Sequence, residues 1–248
     1  LRTEYCVGGF PGACDKYPRT PVNHRWRIAL ASVALNEGFR YYGTLFVTNA
    51  AGNVASATTD GFMVDASPPV CGDVYDGPAY DLQFVGPPEG GELRVSWSSF
   101  FDLGSGIVEY AAAVVADGAN ITSFVSAGLG GSASVPAAGF AHGMRYRTVV
   151  RATDQMGYSV ECVSDGFVAD FTPPVAAPIV SKLPTPQLVS HTLYAEWPGF
   201  DDPESGIREY FVAVGTATEA EAHLAWRSVG ASAEGASAEA VERRAVEL

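Results

Sequence analysis

The sequence predicts an all-β chain built from tandem seven-stranded β-sandwiches. Three observations support this prediction: an internal repeat, short apolar runs that alternate with polar residues, and frequent turn residues between those runs. The 248 residues include 27 glycines and 16 prolines. Alternation with a period of two is typical of half-buried strands, and we find no sustained helical period to compete with it.

The repeat is clearest between residues 93–114 and residues 193–214. Trp97, Asp102 and Tyr110 each recur 100 residues later, as does the Ser-Gly-Ile sequence that begins at residue 105. The Asp-Gly-Phe and Pro-Pro-Val sequences recur 105 residues later. A period of this size is that of one small domain.

The register of the repeat predicts three domains. Residues 1–66 form the C-terminal part of a first β-sandwich, residues 67–171 a complete second one, and residues 172–248 the N-terminal part of a third. Pro-Pro pairs follow both predicted boundaries, where they hold the backbone extended. We therefore expect this chain to be a segment of a longer array of repeats.

Within the complete domain, the alternation of Leu93, Val95 and Trp97 with polar residues indicates a strand whose tryptophan anchors the core. The repeat extends this expectation to Trp197, and we expect Tyr110 and Tyr210 to join the same cores. The predicted strands of this domain are 70–74, 93–97, 107–115, 121–126, 132–135, 143–153 and 160–168. Elsewhere we expect strands at 26–30, 33–35, 41–48 and 55–64, and a mostly irregular stretch at 231–248.

The charge balance excludes several kinds of partner. There are 15 basic and 28 acidic residues, which leaves a net charge of −13. Such a surface repels phosphate backbones and anionic lipids, so we expect no nucleic-acid binding and no electrostatic docking on membranes. No apolar run reaches the roughly 20 residues needed to cross a bilayer, so we expect no membrane insertion in this segment.

Four cysteines allow three disulfide connectivities. Because domains fold as units, we expect pairing within each repeat, as Cys6–Cys14 and Cys71–Cys162; the alternative is four buried free thiols. Disulfides are typical of extracellular proteins. In that setting Asn120, which begins an Asn-Ile-Thr sequon, is a candidate glycosylation site.

The pattern resembles a known family at several positions. Trp97 in the second strand, Ile107-x-x-Tyr110 in the third and Gly143-x-x-Tyr146 in the sixth resemble fibronectin type III-like (Ig-like) domains. The strings PPVCGDVYDG and SGI-x-x-Y resemble, more narrowly, tandem repeats of large eukaryotic cell-surface proteins. The Ala- and Gly-rich composition is similar to that of algal or protist coat and flagellar-hair (mastigoneme) glycoproteins.

This resemblance implies an extracellular, glycosylated array on the cell surface, including the flagellar surface. It also implies that the hydroxyl groups of Tyr41 and Tyr146 tie back a loop, which is a structural role.

Acidic residues are predicted to meet at the domain boundaries. In this topology the second-to-third-strand loop, the sixth-to-seventh-strand loop and the interdomain linker lie at the same end of the domain. Calcium prefers several oxygen ligands, so these carboxylates are candidate ligands. The alternative is that each aspartate only stabilises its own turn. The predicted sets are Asp65, Asp102 and Asp154 at the first boundary, and Asp170, Asp201, Asp202 and Glu204 at the second.

We identify no catalytic constellation in the sequence. The four histidines, at positions 24, 142, 191 and 223, have no metal-ligand spacing, and there is no nucleophile elbow or phosphate loop. We expect a non-enzymatic structural or adhesive segment, acting as a semi-rigid spacer or assembly unit, with no cofactor other than the calcium considered above. Its expected partners are other copies or other surface glycoproteins. The alternatives are a glycan- or receptor-binding module and accessory domains of a secreted enzyme.

Overall fold

The computed structural model describes residues 2–22, 28–176, 178–179, 194–195, 197, 199–216, 224–231 and 246–247. Apart from a three-residue 3-10 turn at Glu89–Gly91, every regular element in these ranges is a β-strand. The prediction of an all-β chain is confirmed. Within the described ranges there is no helix with the length and apolar character needed to cross a bilayer.

The strands are numbered in chain order. The first group is β1 (Arg2–Gly8), β2 (Tyr17–Pro21), β3 (Arg40–Thr48), β4 (Val54–Thr58), β5 (Phe62–Met63), β6 (Asp73–Tyr75), β7 (Phe84–Val85), β8 (Glu92–Ser98), β9 (Ile107–Ala116) and β10 (Ala119–Asn120). The second group is β11 (Val125–Gly128), β12 (Ser132–Pro136), β13 (Arg145–Asp154), β14 (Ser159–Val163), β15 (Phe167–Ala169), β16 (Tyr194–Ala195), β17 (Glu209–Val214), β18 (Leu224–Ala231) and β19 (Val246–Glu247).

Residue contacts group the chain into two compact units. The first comprises Leu1–Leu82, Glu89–Gly139 and Tyr146–Gly166, and the second comprises Gln83–Pro88, Phe140–Arg145 and Phe167–Leu248. The division into three domains at residues 66 and 171 stays a prediction from the sequence repeat.

The first unit contains three antiparallel β-sheets. The strands β2, β1, β3 and β4 lie side by side in that order, and β5 pairs with β3. A three-stranded sheet follows with the order β12-β8-β6. In a further sheet β9 pairs with β10, β11 and β13, and β13 pairs with β14.

The sheet of β8 and the sheet of β9 face one another across an apolar core. Trp97 on β8 is 6% exposed, and its ring lies 5.6 Å from the ring of the half-buried Tyr110 on β9. Val95 and Val150 are fully buried. Because strand residues alternate between faces, the apolar positions of β8 all point into this core, as their spacing predicts.

The two tyrosines assigned to loop tethering are both buried. Tyr41 is 2% exposed, and its hydroxyl accepts a hydrogen bond from the backbone N–H of Asn36 at 2.8 Å. Tyr146 is 3% exposed. The role of the two tyrosines in tying back a loop stays a prediction.

Some strands differ from their predicted bounds. The region 121–126 contributes only the start of β11, with β10 preceding it, and residues 28–35 form no strand. The prediction for Trp26 lies outside the described residues. The last predicted strand, 160–168, is interrupted between β14 and β15 because Gly166, with φ of 98°, turns the backbone there.

The second unit contains pairs of short strands. β15 pairs in parallel with β7, while β16 pairs with β19 and β17 with β18 in antiparallel fashion. Trp197 is 9% exposed, and its ring lies 5.8 Å from that of Tyr210, which is half-buried. This contact reproduces the Trp97–Tyr110 pair of the first unit.

Candidate functional site

The first candidate site is built on Asp65, which lies just before the Pro-Pro linker. One of its oxygens, Oδ2, accepts hydrogen bonds from the backbone N–H of Ser105 at 2.8 Å and from the Ser105 hydroxyl. The bond from that hydroxyl is the main reason that the pKa of Asp65 lies below its ordinary value. We call the Asp65–Ser105 contact the first clamp, because it joins the end of one predicted domain to a loop of the next.

The loop that holds Ser105 is shaped by Asp102. Its Oδ1 accepts the backbone N–H groups of Gly104 at 3.0 Å and Gly106 at 2.7 Å. A Cβ atom at Gly104 would lie 2.3 Å from Cγ of Asp65. The first clamp therefore requires a residue without a side chain at Gly104.

Asp154 enters the same region from the hairpin between β13 and β14. It is 1% exposed, and its Oδ1 accepts the N–H groups of Met156 at 2.8 Å and Tyr158 at 2.9 Å. The N–H of Gln155 donates to the carbonyl of Gly106 at 3.2 Å, which ties this hairpin to the Asp102 loop.

The structure brings together the three aspartates predicted at the first boundary. Asp65, Asp102 and Asp154 each place one carboxylate oxygen within 4.8 Å of the others. The Oδ2 atoms of Asp102 and Asp154 are buried and have no hydrogen-bond partner in the described part of the chain. We call these three residues the aspartate cluster.

The clamp recurs at the second boundary. Oδ2 of Asp170 accepts the hydroxyl of Ser205 at 2.7 Å, and this bond is the main cause of a lowered pKa at Asp170. Oδ1 of Asp202 accepts the N–H groups of Ser205 at 2.8 Å and Gly206 at 3.2 Å, as Asp102 does with its own loop. We call the Asp170–Ser205 contact the second clamp.

The carboxylates predicted at the second boundary are arranged differently. Asp170 and Glu204 meet His142, with one ligand atom of each within 4.8 Å of the others. Asp201 is exposed and pairs through its backbone with Val175. Asp202 is buried but lies outside this group.

His142 was missed by the sequence reasoning. Its Nδ1 accepts the N–H of Phe171 at 3.1 Å, and its Nε2 lies 3.5 Å from Oε1 of Glu204. The sequence repeat could have identified this residue as a contact of the linker. The equivalent residue 105 positions earlier is Glu37, whose Oε1 accepts the N–H of Ala66 at 3.1 Å. Both side chains thus fasten the linker that follows their own domain.

A second group missed from the sequence surrounds the fully buried Asp76. Its Oδ1 accepts the N–H of Thr148 at 3.0 Å, the Thr148 hydroxyl at 2.5 Å and the Ser164 hydroxyl at 2.8 Å, and its Oδ2 accepts the N–H of Gly166 at 3.1 Å. Burial raises the pKa of Asp76, although these hydrogen bonds act in the opposite direction. The arrangement is a polar cross-link within the domain.

The remaining predicted residues lie apart from these clusters. The structure contains the disulfides Cys6–Cys14 and Cys71–Cys162, with Cα–Cα distances of 5.2 and 5.8 Å. Asn120 is exposed on β10, where a glycan has access to it. Its glycosylation stays a prediction.

No protein-family model and no curated protein matches this chain. Among solved structures, it is similar to fibronectin domains FN1–FN3 of chicken CNTN1, with 14% identity and a TM-score of 0.37 over 92% of this chain and 74% of the other. It is also similar to a Ca²⁺-stabilised, ice-binding adhesin of an Antarctic bacterium, with 15% identity and a TM-score of 0.35, over 87% of this chain and 52% of the other. These values are too low to transfer a function.

Proposed function

We propose that this chain is a non-enzymatic structural or adhesive segment of a larger extracellular repeat protein, in which it acts as a semi-rigid spacer or assembly unit. Its partners are other copies of itself or other surface glycoproteins. Two disulfides support the extracellular assignment, because such bonds persist in oxidising compartments. The net charge of −13 agrees with partners other than nucleic acids.

The observation that carries this proposal is the recurrence of the clamp. At each predicted boundary, an aspartate that precedes a Pro-Pro linker accepts the hydroxyl of a serine in the following domain. Hydrogen bonds to a charged group contribute about 1.5–3 kcal/mol each. The linker itself is already restricted by proline, so a clamp of this strength limits bending at the boundary.

The proposal is tested by weakening the first clamp with Ser105→Ala, which removes the hydroxyl donor and keeps the backbone N–H, and by measuring small-angle X-ray scattering of the full chain. We expect the native scattering to fit a single arrangement of its domains, and the variant to require an ensemble with a larger radius of gyration. The control is Ser126→Ala, which removes a serine–carboxylate bond of 2.7 Å to Glu109 that lies inside one domain.

The two variants discriminate between a boundary effect and a general loss of stability. If Ser105→Ala scatters like the native chain, the serine hydroxyl bond on which the proposal rests does not stiffen the boundary, and the spacer proposal loses its support. If Ser126→Ala broadens the scattering to the same extent, the effect is not specific to the boundary, and this result also argues against the proposal.

A further inference from the structure

The aspartate cluster places three carboxylates close together with no cationic side chain beside them among the described residues. Asp65, Asp102 and Asp154 each hold one carboxylate oxygen within 4.8 Å of the others, and none of the three forms an ion pair in the described part of the chain. Like charges at this distance repel strongly when they are shielded from water. A bound cation removes that repulsion.

The two unpartnered oxygens point to a ligand independently of the clustering. Asp154 is 1% exposed, and its Oδ1 accepts hydrogen bonds within its own turn. The Oδ2 atoms of Asp154 and Asp102 are both buried and accept no hydrogen bond from the described residues. Buried carboxylate oxygens normally have partners, because leaving one unsatisfied costs about 1–3 kcal/mol or more.

The repeat shows that the negative charge at Asp154 is not needed for its turn. The equivalent residue one repeat earlier is Asn49, whose Oδ1 accepts the N–H groups of Ala51 at 3.0 Å and Asn53 at 2.9 Å. A neutral amide therefore builds the same turn. The carboxylate at Asp154 supplies something further, namely a charged oxygen next to Asp65 and Asp102.

We propose that the aspartate cluster binds a calcium ion through Asp65, Asp102 and Asp154. The donor set consists of oxygen alone, which suits a hard cation. Calcium binds oxygens at about 2.3–2.6 Å, so two ligands on opposite sides of one ion are up to about 5 Å apart. The spacing within 4.8 Å fits that limit. Water and backbone carbonyls complete the six to eight ligands that calcium takes.

The ion would connect three segments of the chain: the linker at Asp65, the loop at Asp102 and the hairpin at Asp154. The proposal stands on this geometry and does not depend on the spacer role. The His142 group carries no equivalent proposal, because its carboxylate neighbours Asp170 and Glu204 already contact the imidazole.

The test is calorimetric titration of the full, disulfide-bonded chain with CaCl₂ after treatment with chelator, together with thermal unfolding with and without calcium. The main variant is Asp154→Asn, which keeps the turn oxygen that Asn49 shows to be sufficient. Asp102→Asn is a second variant, and Asp73→Asn, at an exposed position on β6, is the control for the loss of one charge.

We expect the native chain and Asp73→Asn to bind one calcium ion here and to unfold at a higher temperature with calcium than with chelator. In Asp154→Asn and Asp102→Asn we expect a Kd weaker by about tenfold or more, since calcium affinity follows the number of charged ligands. If native unfolding curves with calcium and with chelator coincide and no binding heat is found, the proposal is wrong. Undiminished binding by both cluster variants also overturns it.

Discussion

Trp97 offers the sharpest test of the core. Replacing it with alanine removes the largest side chain of β8, which is 6% exposed and packs against Tyr110. Substitutions of this type cost about 3–5 kcal/mol, from lost apolar burial and from the cavity that remains. For a domain of this size, that loss lowers Tm by roughly 12 °C or more.

The structure makes a different prediction for Trp97→Phe. The indole Nε1 of Trp97 is buried without a hydrogen-bond partner among the described residues, so phenylalanine forfeits no hydrogen bond. Phenylalanine lacks two carbons and the nitrogen of the indole, and at about 0.8 kcal/mol per carbon the two carbons represent about 2 kcal/mol of lost apolar burial. Removing the unsatisfied N–H raises the free energy of unfolding by about 1–3 kcal/mol. The two terms nearly cancel, so we expect a change within about 1 kcal/mol.

Urea unfolding of the native chain and both variants, followed by circular dichroism, measures these differences. A loss below about 1 kcal/mol for Trp97→Ala would mean that the indole is not a core anchor. A loss for Trp97→Phe as large as that for Trp97→Ala would refute the argument from the unsatisfied N–H. Either result would contradict the packing described above.

Two further predictions concern polar contacts. Because the pKa of Asp76 is raised, this group binds more protons in the folded state than in the unfolded state between its ordinary pKa of 3.8 and the raised value. The contribution of Asp76 to the free energy of unfolding therefore falls as pH rises through that window and then levels off. The lowered pKa values of Asp65 and Asp170 act in the opposite direction in both proteins, so the quantity to measure is the free energy of unfolding of the native chain minus that of Asp76→Asn. Urea titrations from pH 3.5 to 7 should show this difference falling as pH rises; a difference that does not change with pH would contradict the prediction. Gly104→Ala should displace the Asp65 carboxylate and cost about 1–3 kcal/mol in thermal or urea unfolding. Gly9→Ala, where a Cβ atom meets nothing closer than 3.7 Å, is the matched control, and equal effects of the two substitutions would exclude the steric explanation.

The sequence was sufficient to predict features that depend on residues close together in the chain, namely strands, their buried faces and turns. Alternation of Leu93, Val95 and Trp97 predicts β8 and its buried face, because side chains alternate along any strand. The 100-residue recurrence predicts that Trp197 packs as Trp97 does, and the two Trp–Tyr ring distances differ by only 0.2 Å. Turn aspartates such as Asp102 and Asp154 are likewise visible, because each binds N–H groups within four residues of itself.

The tertiary structure was needed to identify the polar partners of Asp76 and His142. The bonds of Asp76 reach Thr148 and Gly166, 72 and 90 residues away, and no local pattern identifies such partners. The same holds for the contact of His142 with Glu204, which depends on the path of the chain after the linker. Local sequence determines turns and the buried faces of strands through backbone geometry. The pairing of charged side chains, and the two oxygens left without partners in the aspartate cluster, depend on distances that exist only after folding.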